Sequence, residues 1–76
     1  MSSTRQQLYT RSLRRASDIR RFTISSADSS GWQVREEQNS RVLREACYDD
    51  WHRVERARKS FSLRAESLAS AGWTEA

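Results

Sequence analysis

The chain has 76 residues, of which 36% are hydrophobic and 32% are charged, and its formal net charge is +4. A chain this short forms one small domain with little room for an enclosed substrate pocket. No apolar run approaches the roughly 20 residues that cross a bilayer, so no membrane partner is expected. One cysteine, Cys47, excludes an internal disulfide, and without an apolar signal segment the expected location is the cytoplasm.

The positive charge is concentrated at the beginning of the chain. Residues 1–21 carry six arginines and one acid, whereas residues 22–76 carry eight basic and nine acidic residues. This asymmetry predicts a basic arm over residues 1–19 and a folded domain over residues 20–76. A thin apolar strip in the arm allows a short helix there. The charge indicates attraction to an anionic partner, and the alternative is a solvated arm that only keeps the protein in solution.

Three strands are predicted after the arm. Phe22 and Ile24 alternate with polar residues, which is the period of a strand with one buried face. A small polar segment over residues 26–31 is typical of a loop, and a second strand begins at Trp32. After a polar turn, residues 41–48 form the third strand.

A three-residue turn at residues 38–40 fixes the predicted register of the last two strands. It places Glu37 opposite Arg41 and Trp32 opposite Ala46, which gathers the apolar residues on one face. That face consists of Phe22, Ile24, Trp32, Val34, Val42, Ala46 and Tyr48. The opposite face is polar and consists of Arg21, Thr23, Ser25, Gln33, Arg35, Glu37, Arg41, Leu43 and Glu45.

Residues 48–73 show the 3.6-residue period of an amphipathic helix. Asp49 or Asp50 can accept hydrogen bonds from the free N–H groups of its first turn. At the other end Gly72 can adopt the left-handed conformation, which lets Trp73 contact the last apolar turn and ends the helix. The apolar stripe consists of Val54, Ala57, Phe61, Ala65 and Leu68, with Trp51 at its edge.

These elements predict an α+β fold, in which a three-stranded antiparallel β-meander packs on one C-terminal amphipathic helix (β-β-β-α) and both apolar faces are buried. Trp32 and Trp51 are expected in the core, because a domain this small needs its large aromatic side chains inside. The alternative is that the tryptophans are stacking platforms for single-stranded nucleic acid.

Few side chains have the spacing that a metal site or a catalytic site requires. Cys47 and His52 are the only soft metal ligands, and a structural zinc site needs four, so no metal and no cofactor is expected. A nucleophilic pair of the same two residues would lack an oxyanion loop. The acidic side chains have cations at pairing distance, and nothing predicts an enzyme. The predicted ion pairs are Glu37 with Arg41, Glu55 with Lys59 and Asp49 with Arg53.

In element order the chain resembles sheet-reading DNA-binding domains of the plant AP2 kind. The resemblance spans about residues 20–61, with Trp32 opening the second strand and Arg41 the third. It implies that arginines on the exposed sheet face enter the major groove of DNA. Two acids on that face, Glu37 and Glu45, depart from the pattern, and Glu45 stands where the family has a glycine.

The sequence thus predicts a small non-enzymatic protein that binds nucleic acid, either DNA or RNA. Its arginines would contact phosphates, so its affinity would fall steeply with added salt and on deletion of the arm. The alternative is a small accessory or inhibitor protein that binds an acidic protein partner. Exposed Leu43 and Leu63, with two open sheet edges, also allow a homodimer. The predicted binding residues are Arg5, Arg11, Arg14, Arg15, Arg20, Arg21, Arg35 and Arg41.

Overall fold

The structure is a computed structural model that describes residues 7–27 and 31–76. These residues form five strands and one helix. In chain order the elements are β1 (Gln7–Arg15), β2 (Asp18–Ser26), β3 (Trp32–Gln38), β4 (Arg41–Tyr48), α1 (Trp51–Ser70) and β5 (Thr74–Glu75).

The strands form one antiparallel sheet in the order β4-β3-β2-β1-β5, and β4 is therefore an edge strand. α1 contacts all four of the longer strands from one side. We call this side of the sheet the helix face and the opposite side the free face. The predicted α+β class, with an antiparallel sheet and a C-terminal helix, is confirmed. The predicted number of three strands is wrong, because β1 and β5 extend the sheet beyond β2.

β1 occupies the segment for which an arm or a short helix was predicted, and the helix is wrong. The strand pairs with β2 along its length and is joined to it by a two-residue turn, in which Ala16 has φ 55°. Leu13 of β1 is 1% exposed and belongs to the core. β5 pairs with the outer edge of β1 at Leu13 and Arg14. Deletion of residues 1–19 would thus remove a core strand, and loss of binding on deletion would not identify phosphate contacts.

A two-residue turn sets the register of β3 and β4, and the predicted register is wrong by two residues. Asn39 and Ser40 both have positive φ, 53° and 69°, which suits the tight hairpin turns that match strand twist. The turn shifts the register by one residue and a β-bulge in β4 shifts it by another, so Trp32 lies opposite Tyr48 and not opposite Ala46. A shift of two preserves the faces of β3 and of residues 44–48, so their alternation is as predicted.

A β-bulge between the two strands changes the faces of residues at the beginning of β4. Glu36 pairs with Arg44 and Glu37 with Val42, so Leu43 is the additional residue. Val42 was predicted in the core, but it shares the free face with Glu37 and is 46% exposed. Arg41 and Leu43 were also predicted on the free face. Arg41 instead pairs with Gln38, and Leu43 lies in the bulge.

The helix has the predicted ends and the predicted buried stripe. Asp50 is the N-cap, and its carboxylate accepts a hydrogen bond from the N–H of His52 at 2.9 Å. At the C-terminus Gly72 has φ 103°, and the N–H of Trp73 donates to the carbonyl oxygen of Leu68 at 3.0 Å. This bond, with that from Gly72 to Ala69 at 3.1 Å, is the Schellman pattern.

The core lies between the helix face and α1. Two tryptophans were predicted to lie in it, and this prediction is wrong for one of them. Trp51 is 42% exposed, whereas Trp32 is partly buried against the core. The rings of these two residues contact each other edge to face, with centroids 5.1 Å apart. The buried hydrophobic side chains are Leu13, Phe22, Ile24, Val34, Val54, Phe61, Ala65 and Trp73.

Candidate functional site

Two arginines of the segment predicted as an arm have partners at the C-terminal end of the chain. Arg11 donates from Nε to Glu75 Oε2 at 2.7 Å. This hydrogen bond raises the pKa of Arg11 above its usual range. Arg15 donates to the carbonyl oxygen of Ala71 at 3.3 Å, and its guanidinium lies 5.4 Å from the ring centroid of Trp73. These contacts hold β5 and the end of α1 against β1.

A second set of arginines neutralises the buried carboxylate of Glu36, and we call Arg20, Glu36 and Arg64 the arginine clamp. Glu36 is 1% exposed, and it accepts from Arg20 at 2.8 Å and from Arg64 at 3.0 Å. Arg20 also donates to Gln38 and lies 5.8 Å from the centroid of Trp73. The carboxylate of Glu36 lies inside the protein and depends on these two cations to compensate its charge.

The arginines of the free face stand beside nearly equal negative charge. Arg35 donates to Glu45 at 2.9 Å and lies 3.8 Å from Glu37. Arg21 is exposed and donates to the hydroxyl of Ser12 at 3.4 Å. Arg14 is exposed too. The free face therefore has little net charge with which to hold an anion.

Two further predicted binding residues lie away from the free face or outside the described ranges. Arg41 is exposed and pairs with Gln38, whose side chain bonds Arg20 on the helix face. Arg5 lies outside the described residues. Of the eight predicted arginines, the structure therefore brings no large group together on one surface.

The three ion pairs predicted from spacing are wrong. In the described ranges, Glu37 contacts Arg35 instead of Arg41. Neither Glu55 with Lys59 nor Asp49 with Arg53 is among the ion pairs between residues 7–27 and 31–76. The cations of α1 consequently keep their charge largely uncompensated.

A groove of about 810 Å³ runs between the helix-face side of β4 and the adjoining flank of α1. Apolar and polar surface both line it, with apolar side chains at its floor and arginines of both elements at its rim. We call it the β4–α1 groove. Its lining residues are Val34, Leu43, Arg44, Glu45, Ala46, Tyr48, Arg53, Arg56, Ala57, Ser60, Phe61 and Arg64.

Local sequence places the basic residues of the groove. Arg53, Arg56, Ser60 and Arg64 follow one another at spacings of three and four, so they share the flank of α1 beside its buried stripe. On β4, Arg44 pairs with Glu36 and has the alternation of Ala46, which places it on the helix face. Because β4 is an edge strand, nothing in the described sheet lies beyond it to close the groove.

The electrostatic field of the groove is positive. Arg44, Arg53 and Arg56 are exposed, and none has an ion pair with a described residue. Arg64 gives part of its charge to Glu36. The only acid in the lining, Glu45, is already bound by Arg35. Such a site can attract an anion and bind its oxygens through forked guanidinium groups.

None of these groove arginines was predicted as a binding residue. The acidic residues nearby in sequence lowered the apparent charge of the helix, because they were assigned to ion pairs. The flank spacing of Arg53, Arg56 and Arg64 is visible in the sequence and was a usable signal. The alternation of Arg44 with Ala46 and Tyr48 was a second usable signal, because it puts Arg44 on the side of β4 that faces α1.

Other possible sites have weaker support among the described residues. No three His, Cys, Asp or Glu side chains lie close enough to hold a metal ion. Cys47 is a free, exposed thiol on β4, and His52 is exposed in the first turn of α1. No described helix has the length and apolar character needed to cross a membrane.

Comparisons with known proteins add no relative from which a role could be inferred. The chain gives no significant match to a protein-family model, to a curated protein or to a solved structure. The resemblance in element order to the plant AP2 kind receives no support from these comparisons, and β1 and β5 lie outside that element order. Any inference about function must therefore rest on the geometry of the groove.

Proposed function

We propose that this chain is a small non-enzymatic protein that binds DNA or RNA and holds the phosphates in the β4–α1 groove. The observation that carries the proposal is the position of Arg44, Arg53 and Arg56 around one concave surface, three exposed cations that have no acidic partner among residues 7–27 and 31–76. Arg64 also lines the groove, but Glu36 takes part of its charge. A cluster of unpaired cations is the electrostatic footprint expected of a phosphate-binding surface.

The chemistry of the cations supports phosphate as the ligand. Thirteen of the fourteen basic residues are arginine, and Lys59 is the exception. Arginine presents a planar fork of donors that matches two oxygens of one phosphate, which a lysine ammonium cannot do. Exposed Arg14, Arg21 and Arg41 add positive charge outside the groove, so they are expected to contribute to attraction and less to the bound geometry.

A charge-matched pair of double variants tests the proposal. R44Q/R53Q removes two cations from the groove, and R58Q/K59Q removes two exposed cations of α1 that do not line it. We expect the groove variant to bind a labelled oligonucleotide about tenfold more weakly, measured by fluorescence anisotropy. The control variant should lose about twofold, because only the long-range field changes.

Salt dependence gives the second measurement. Between about 50 and 200 mM salt, the slope of log affinity against log salt should be smaller in magnitude for R44Q/R53Q by about 1.5. The reason is that binding with two fewer phosphate contacts releases fewer counterions from the nucleic acid. The slope for R58Q/K59Q should stay close to that of the unmodified chain. Absence of binding at low salt, or equal losses in the two variants, would refute the assignment of the groove.

An acidic protein partner is the second candidate, and the apolar floor of the groove favours it. Leu43, which is 46% exposed, could contact an apolar side chain of a partner segment while the arginines bind its carboxylates. Gel filtration of the chain from nuclease-treated lysate distinguishes the candidates. A stoichiometric protein partner together with absent oligonucleotide binding would favour the acidic protein.

A further inference from the structure

We infer that the β4–α1 groove selects single-stranded nucleic acid over duplex, an inference that rests on the proposed function. The groove combines two surfaces with different requirements. Its rim carries arginines, which attract phosphates, and Leu43, which is 46% exposed, adds apolar surface that a ligand could remove from water. The ligand that satisfies both is an anionic polymer with exposed apolar faces.

The apolar side chains of the floor make the groove different from the other basic surface of α1. Leu43 is 46% exposed in the groove, and Tyr48 is partly exposed beside it. The outward surface of the helix carries Arg58 and Lys59, but a patch there is lined by polar and charged side chains. Charge alone would be satisfied on either surface, so Leu43 and Tyr48, which have no counterpart in the lining of the outward patch, are the features that distinguish them.

A duplex and a single strand meet these requirements differently. A duplex presents phosphates on its outside and keeps the faces of its bases stacked inside, so it would contact the rim and leave the floor in water. A single strand can turn a base toward the floor while its phosphates stay with the arginines. The ring of Tyr48 and the guanidinium planes of the rim are surfaces on which a base can stack.

The length of the rim sets the length of strand that the groove can hold. Eleven residues separate Arg53 from Arg64, which is roughly 16 Å along a helix. A stacked strand has a phosphate about every 3.4 Å along its axis, so about five phosphates is the upper limit for the rim, and a strand with bases turned to the floor is more extended. We therefore expect the affinity to rise with oligonucleotide length up to at most about five nucleotides and to rise slowly beyond it.

The experiment compares a single strand and the matched duplex on the complete chain. We expect the single strand to bind about tenfold more tightly at equal salt, because stacking adds to the phosphate contacts. L43Q makes the floor polar at an exposed position, and L63Q, at a leucine that is 62% exposed outside the groove, is its control. L43Q should weaken single-strand binding about threefold or more without changing duplex binding, and L63Q should change neither.

A second variant isolates stacking from apolar burial. Y48L keeps an apolar side chain at this position but removes the ring, so its single-strand affinity should fall about fivefold or more. Circular dichroism and urea unfolding show whether each variant is folded. If L43Q or Y48L does not fold, the comparison of single strand and duplex with R44Q/R53Q and R58Q/K59Q decides, because only the first of these variants changes the groove.

The outcomes separate this inference from the proposed function. Equal binding of duplex and single strand, with both reduced in R44Q/R53Q, would overturn the inference and retain nucleic-acid binding in the groove. No binding of either form would overturn both. An acidic peptide that binds in the groove and displaces the single strand at lower concentration would also overturn the inference.

Discussion

Arg20 and Arg64 share the carboxylate of Glu36 inside the protein, whereas Arg44 and Arg53 line an open groove and have no ion pair with any residue that the structure describes. Both sets lie on the side of the sheet that α1 covers. In the arginine clamp, the cations compensate a charge that burial would otherwise make costly, so they belong to the fold. In the groove, they leave positive charge exposed to solvent, so they are available to a ligand. The difference shows that the number of arginines in a segment does not locate a binding surface.

The largest expected effect is on stability, and it tests whether the residues around the arginine clamp hold the fold together. W73A removes a side chain that is 6% exposed and that lies under the guanidinium groups of Arg15 and Arg20. We expect the free energy of unfolding to fall by about 3–5 kcal/mol, as for other buried aromatic residues. W51A, at a ring that is 42% exposed, should cost about 1 kcal/mol.

Urea unfolding followed by circular dichroism measures both tryptophan variants. A small domain has little stability to lose, so W73A is expected to be largely unfolded in water at room temperature. Similar losses in W73A and W51A would contradict the assignment of Trp73 to the core and of Trp51 to the surface.

An intermediate effect is expected when the clamp loses its central charge. E36Q keeps the shape of the side chain but leaves Arg20 and Arg64 without their carboxylate, which should lower the free energy of unfolding by about 2–3 kcal/mol. E37Q is the matched control, because Glu37 is next in sequence, lies on the free face and is 3.8 Å from Arg35. It should cost less than about 1 kcal/mol.

Thermal or urea unfolding of the two glutamate variants sharpens the comparison between buried and exposed pairs. If E36Q were as stable as E37Q, the clamp arginines would not depend on the buried carboxylate. They would then be candidates for ligand binding in the same way as the groove arginines.

The smallest effect is expected in the groove itself. R44Q/R53Q should change the free energy of unfolding by no more than about 0.5 kcal/mol, since both residues are exposed and have no ion pair among the described residues. Urea unfolding of the same preparation used for binding checks this expectation. A loss above about 1 kcal/mol would make these arginines part of the fold and remove the contrast with the clamp.

The binding residues were less predictable than the fold, for a physical reason. Arg11, Arg15 and Arg20 formed the densest basic segment in the sequence, but each contacts a residue far along the chain. Long-range partners leave no local pattern, so sequence spacing could not distinguish engaged arginines from free ones. On α1, the flank positions of Arg53 and Arg56 did follow from helical spacing, and only the assumed ion pairs hid them.

The sequence by itself determined the helix and its ends, because periodicity, the Asp50 cap and the Gly72 stop act within a few residues of one another. It also determined the alternation of β2 and β3. Tertiary structure decided that β1 is a strand, that Glu36 is buried and that Val42 is exposed. Each depends on a partner strand or on the bulge at Leu43, where the energy of a position is set by distant residues that meet only when the sheet forms.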